Sequence, residues 1–252
     1  MLEELLATNV FNFFLVFARV GSGIMVMPFF SANYIGMRMR LAMALAVSFA
    51  FLHMLAPEMP LLPESAIGLT LLLFGEMIIG VFIGLIPRMA MVAIDLVGFA
   101  ATSSAAMSNA QTMNPTLGTQ DQMMAVFLDL CVLMIILSMN LHYLMLDALL
   151  GSYLVFSPGD SFAFQDMTEA IVMGMSQAFT VGFRLASPFI ILTILVNVCM
   201  GVVTKIMPQL QVLFVIMPAQ VYLGISLFMI SFASVALWFA SYFEDTLMAF
   251  AS

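Results

Sequence analysis

The chain has 252 residues, of which 64% are hydrophobic and only 8% charged, and no water-soluble globule needs that much apolar side chain. Its net charge of −8 comes from scattered acidic residues that form no tail, so it argues for no particular partner, and no nucleic acid is expected. Hydrophobic stretches recur near residues 5–29, 41–57, 66–87, 89–107, 123–150, 169–203 and 210–243, and about 20 residues suffice for a helical crossing of a bilayer. The composition predicts an all-α, polytopic membrane protein.

The first stretch follows Met1-Leu2-Glu3-Glu4 rather than the basic opening of a cleaved signal peptide, so it is expected to remain as a helix. Arg38 and Arg40 place the next loop inside, because short cytoplasmic loops collect basic residues. The loop Pro57 to Glu64 has no basic residue and reads as outside; Arg88 then reads as a return inside. Lys205 marks a later inside turn, while Asp160, Asp166 and Glu169, and the tail with Glu244 and Asp245, read as outside. On this reading the chain must cross an odd number of times between Arg88 and the 151–168 loop, yet two apolar segments lie there, 89–107 and 123–150. The simplest repair makes one of them partial or re-entrant.

Between those two segments the chain runs polar, from Ser103 to Gln122. Backbone without internal hydrogen bonds survives at membrane depth only where it lines a cavity or is buried in protein, so this loop is the first place to look for function. The later segments 169–203 and 210–243 exceed one span and contain Pro188 and Pro218, which predicts kinked or broken helices or hairpins. No internal repeat or linker is present, and a single domain over 1–252 is expected.

Ionisable side chains inside membrane helices usually face a partner or water. Arg19, Glu76, Asp95, Asp129, Asp147 and Arg184 are such residues, and helical spacing sets Asp129, Asn140 and Asp147 on one stripe, Asn12 with Arg19 on another, and Gln177 with Arg184 on a third. These stripes read as packing or partner faces. Glu76 is followed at four-residue steps by Gly80 and Gly84, a spacing that lets helix backbones approach closely beside a carboxylate. Among the 26 methionines, Met107, Met113, Met123 and Met124 adjoin the polar loop and suit a flexible seal.

Catalytic and cofactor motifs are missing: there is no metal-binding His pair on a helix, no nucleophile elbow and no phosphate-binding glycine loop, so neither an enzyme nor a cofactor is expected. His53 and His142 stand apart from any ligand set. Cys131 and Cys199 lie in apolar stretches and make neither a disulfide framework nor a metal site.

Several motifs together resemble the flagellar biosynthetic protein FliR family and its injectisome counterparts in type III secretion. They are Phe17-Ala18-Arg19-Val20-Gly21-Ser22 with Met27-Pro28-Phe29-Phe30 and Arg38, then Glu76, Gly80 and Gly84, then Leu141-His142 with Ser152 and Pro158-Gly159. The fullest is Lys205-Ile206-Met207-Pro208-Gln209-Leu210-Gln211-Val212, leading to Pro218 and Gly224. Asn114-Pro115 stands where the family commonly has Asp-Pro, and Gln211 where it often has Asn. The resemblance implies a subunit built from kinked helical hairpins in the export gate of the bacterial inner membrane and flagellar basal body. It implies FliP-type and FliQ-type partners, other export-apparatus membrane proteins, and unfolded export substrates.

It also implies that the polar loop plugs the pore, here with Met107, Met113, Asn114, Pro115 and Gln122. Arg19, Glu76, Asp129, Asp147, Arg184, Lys205, Pro208 and Gln209 are then expected in packing or partner contacts. The rival reading is a secondary transporter or ion-conducting protein that uses the same charges near mid-membrane.

Overall fold

The computed structural model describes residues 2–31, 35–55, 59–60, 62–63, 65–105, 123–159, 164–207 and 212–251. The described residues form seven helices: α1 (Leu2–Val26), α2 (Met37–Leu55), α3 (Ala66–Ser104), α4 (Met123–Ser138), α5 (Leu141–Val155), α6 (Phe164–Ile206) and α7 (Val212–Ala251). The chain is an all-α, multi-pass membrane protein. Five helices are long and apolar enough to cross a bilayer, and α4 and α5 are so only as a pair bent by 73°, the form of a broken span or a re-entrant loop.

Local chemistry sets the helix limits. Ser65 precedes α3, and its hydroxyl oxygen accepts the Gly68 amide at 3.0 Å, supplying a partner that the first turn of a helix lacks. Gly36 opens α2, its carbonyl accepting the amides of Met39 and Arg40 at 2.9 and 3.2 Å. Asn140 separates α4 from α5 with φ at 59°, a left-handed backbone that asparagine tolerates better than most residues. This break overturns the expected stripe, since Asp129 and Asp147 lie on different helices across the bend.

The sequence reading of Arg88 as an inside loop is also corrected. Segments 66–87 and 89–107 are largely one helix, α3, which runs through Pro87 and Arg88 to Ser104. Proline in a helix forfeits one backbone bond but does not force a turn, and α3 is apolar on both sides of it. With α3 as one crossing, the inside and outside loops alternate when α4 and α5 together count as one broken span. The expectation of a partial or re-entrant segment thus falls on 123–150, the bent pair, and not on α3.

Of the kinks, breaks or hairpins expected at Pro188 and Pro218, the breaks and hairpins are absent, as α6 and α7 continue through both. At Pro188 the reason is visible. A proline cannot donate to the carbonyl four residues back, Arg184, and the Ser187 hydroxyl donates to that oxygen instead at 2.8 Å.

The structure divides into two compact units, each assembled from separated stretches. The first holds Met1–Met89, Ile136–Gly174 and Phe243–Ser252; the second holds Ala90–Ile135 and Met175–Tyr242. The core of the first includes Leu15, Val20, Ile24, Ile83, Met145 and Leu149, and that of the second includes Ile94, Val97, Phe189 and Phe239. In the second unit close helix contacts rest on glycines, with Gly98 against the Ala125 backbone and Gly224 against the Ala105 backbone, each 2.6 Å from where a Cβ would sit.

Candidate functional site: a buried arginine cluster

In the first unit the sequence buries one charge completely. Arg19, in the last third of α1, is 0% exposed, and Glu76 of α3 is 2% exposed. Such a pair survives burial only if every remaining donor and acceptor is also satisfied. The geometry meets that demand. Arg19 Nε donates to Glu76 Oε2 at 2.6 Å and Nη2 to Oε1 at 3.0 Å, the bidentate fork that only a guanidinium offers a carboxylate.

The other donors reach the end of α5. Nη1 donates to the Ser152 carbonyl at 3.1 Å and to Ser152 Oγ at 3.4 Å, and Nη2 donates to the Phe156 carbonyl at 2.9 Å. The Ser152 carbonyl also accepts the Phe156 amide at 2.9 Å, but the last carbonyls of a helix carry the negative end of its dipole, so a buried cation is well placed there. The guanidinium carbon also lies 3.9 Å from the centre of the Tyr153 ring, close enough for a cation–π contact.

Glycines make this approach possible. A Cβ on Gly80 would overlap the Arg19 carbonyl oxygen and Ser22 Oγ, and one on Gly84 would fall 2.7 Å from the Gly23 carbonyl oxygen. Gly23 in turn faces Leu149, whose Cδ2 lies 2.7 Å from the Cβ position. Three helices, α1, α3 and α5, therefore meet around one ion pair, and the close approach expected from the Glu76, Gly80 and Gly84 spacing is present. Sequence reading placed Arg19 and Glu76 separately and gave no role to Tyr153 or Phe156. The available signal was Pro158-Gly159, which marks a helix end whose carbonyls need donors.

The other expected site residues are not gathered here. Asp129 is half-buried on α4, Asp147 is exposed on α5, and Arg184 and Lys205 are exposed on α6. Met107, Met113, Asn114, Pro115, Gln122, Pro208 and Gln209 lie outside the described residues. Asn12 is buried near the start of the Arg19 face, and His142 sits half-buried in the first turn of α5 with its ring 6.2 Å from that of Phe29.

Comparison with known proteins gives this architecture its family. The model for the bacterial export proteins, family 1, matches residues 10–246, a stretch that holds every member of the arginine cluster. The chain belongs to that family. Among relatives of this export family, flagellar biosynthetic protein FliR of Caulobacter vibrioides is 30% identical over 236 residues, covering 94% of each chain. The proteins of that name from Bacillus subtilis and Escherichia coli are 27% identical over 212 residues and 26% over 215, each match covering 83% of this chain. They span 81% and 79% of those two proteins. As a member of a bacterial export family with several long apolar helices, the chain is a multi-pass membrane component of the flagellar export apparatus.

Proposed function

We propose that the chain is a non-enzymatic core subunit of the type III flagellar protein export gate in the bacterial inner membrane, at the flagellar basal body. The observation that carries this reading is the family match over residues 10–246, with FliR proteins among the relatives. Residues 1–252 act as one export-gate domain, whose two units interleave along the chain so that no single cut releases either. The subunit assembles with FliP-type and FliQ-type partners and passes unfolded export substrates. Exposed charges on apolar helices, Asp147 and Arg184, support partner contact, since neither suits a lipid face.

In this reading the gate is steric. The polar stretch from Ser103 to Gln122 joins two apolar helices, and Met107, Met113, Asn114, Pro115 and Gln122 seal the closed pore. Asn114, Pro115 and Gly118 disfavour a regular helix there, so the stretch can be displaced at less cost than a packed helix. The ion-pathway alternative draws no support from Arg19, whose donors are all engaged within the fold.

The test is to shorten the chain between Met107 and Gln122 in the assembled complex. Assembly is expected to persist while bilayer conductance rises, and Met107→Ala with Met113→Ala should leak less than the deletion. A shortened complex that stays tight and exports normally would make the loop a mere connector.

A further inference from the structure

The exposed side of α6 within the second unit fits neither water nor lipid. Ser176, Gln177, Thr180, Arg184 and Ser187 are all exposed and fall within an arc of about 100° at 3.6 residues per turn. At the edge of that arc Phe179 is 43% and Phe183 59% exposed, and past Pro188 the same side continues with exposed Ile191, Ile194 and Leu195. Water does not suit this run of large apolar side chains. Hydrocarbon does not suit an arginine and a primary amide.

Two of the three hydroxyls are already served, since Thr180 donates to the Ser176 carbonyl at 2.8 Å and Ser187 to that of Arg184 at 2.8 Å, and the third, on Ser176, is small and uncharged. The larger demands are those of Gln177 and Arg184. Arg184 makes no ion pair among the described residues. Seven residues separate the two, about 10.5 Å along the helix at 1.5 Å per residue. A lipid headgroup layer is only about 5–8 Å deep, so one layer of phosphates does not serve both. Beside the stripe, α6 and α3 enclose an apolar groove of about 280 Å³ lined by Phe99, Ala100, Phe183, Ala186 and Ile190.

We infer that this side of α6 docks a helix of another subunit that is apolar except for one carboxylate, which pairs with Arg184, and a polar group two turns away, which meets Gln177. An apolar side chain of the same helix fills the groove. Charge sets the choice of occupant: an exposed guanidinium that pairs with no acid among the described residues, Asp95 and Asp129 of the same unit included, calls for an acid from outside. The inference rests on the export-gate reading and names the chemistry of one contact within it.

The test uses the full chain in cells that assemble the apparatus, with a photo-crosslinking amino acid at position 180. The expected adduct is a protein, and its mapped peptide contains Asp or Glu within an apolar helix. Arg184→Glu should cut adduct yield at least tenfold, Arg184→Lys should retain most of it, and exchanging the mapped acid for arginine should rescue Arg184→Glu. Adducts with phospholipid alone, or a yield indifferent to Arg184→Glu, would overturn the inference. If the wild-type chain co-purifies with small membrane subunits in that case, the export-gate reading still stands; if it purifies alone, both fall.

Discussion

Two arginines in this chain carry the same local signature and meet opposite fates. Arg19 follows Asn12 by seven residues and Arg184 follows Gln177 by seven, so each pairs a guanidinium with an amide on one helix side. Arg19 is 0% exposed and held by a carboxylate, two carbonyls, a hydroxyl and an aromatic ring from the same unit. Arg184 is exposed, with no ion pair among the described residues. A spacing rule identifies a face that must be covered; it does not say whether the cover comes from the same chain. What separates the two is the surrounding glycine pattern. Gly80, Gly84 and Gly23 bring backbones together around Arg19, whereas the exposed side of α6 carries phenylalanines and branched residues.

The largest effect should come from breaking the first of these. Arg19→Ala leaves the Glu76 carboxylate buried without its donor, a loss of about 3–5 kcal/mol for a severed buried pair. Thermal unfolding of the purified chain in mild detergent measures it. Gly80→Ala keeps the charges but forces a methyl into the Arg19 carbonyl, and overpacking of this kind costs about 1–3 kcal/mol. Gly201→Ala is the matched control, because nothing lies within 4 Å of its Cβ position and the helix gains about 1 kcal/mol of propensity.

A smaller effect should follow Ser187→Ala, which removes the hydroxyl that serves the Arg184 carbonyl beside Pro188. About 0.5–1.5 kcal/mol is the expected loss, and faster amide exchange around residues 184–188 would locate it. Arg184→Ala should change the stability of the chain alone by no more than about 0.5 kcal/mol, as surface substitutions do, while lowering recovery of co-purifying subunits. A loss of several kcal/mol in the chain alone would mean that Arg184 is already satisfied internally, and the contrast between the two arginines would disappear.

The membrane class and most helix positions were legible because apolar length is written directly into the chain. The Glu76, Gly80 and Gly84 face was legible for a similar reason, since its period is that of a helix. The Arg88 error arose because one arginine beside one proline mimics a loop, although apolar residues continue on both sides and hold α3 together. The bend at Asn140 was missed because asparagine in a left-handed conformation leaves no mark on hydropathy. That Arg19 pairs with Ser152 could not be read: Ser152 lies 133 residues away, and its shorter contact is through a backbone carbonyl that every residue type possesses.

That separation sets a timetable for synthesis. Glu76 follows Arg19 by 57 residues and Phe156 by 137, so at ribosomal rates of about 5–20 residues per second the first partner arrives some 3–11 s after the arginine and the last some 7–27 s after it. Until Glu76 arrives the first helix carries an uncompensated charge, worth about 2.5–3.5 kcal/mol against residence in the bilayer. α1 is thus inserted on credit of a carboxylate not yet translated. Slowing elongation between residues 19 and 76 lengthens its exposure to quality-control proteases, while slowing it after residue 156 leaves the completed cluster untouched.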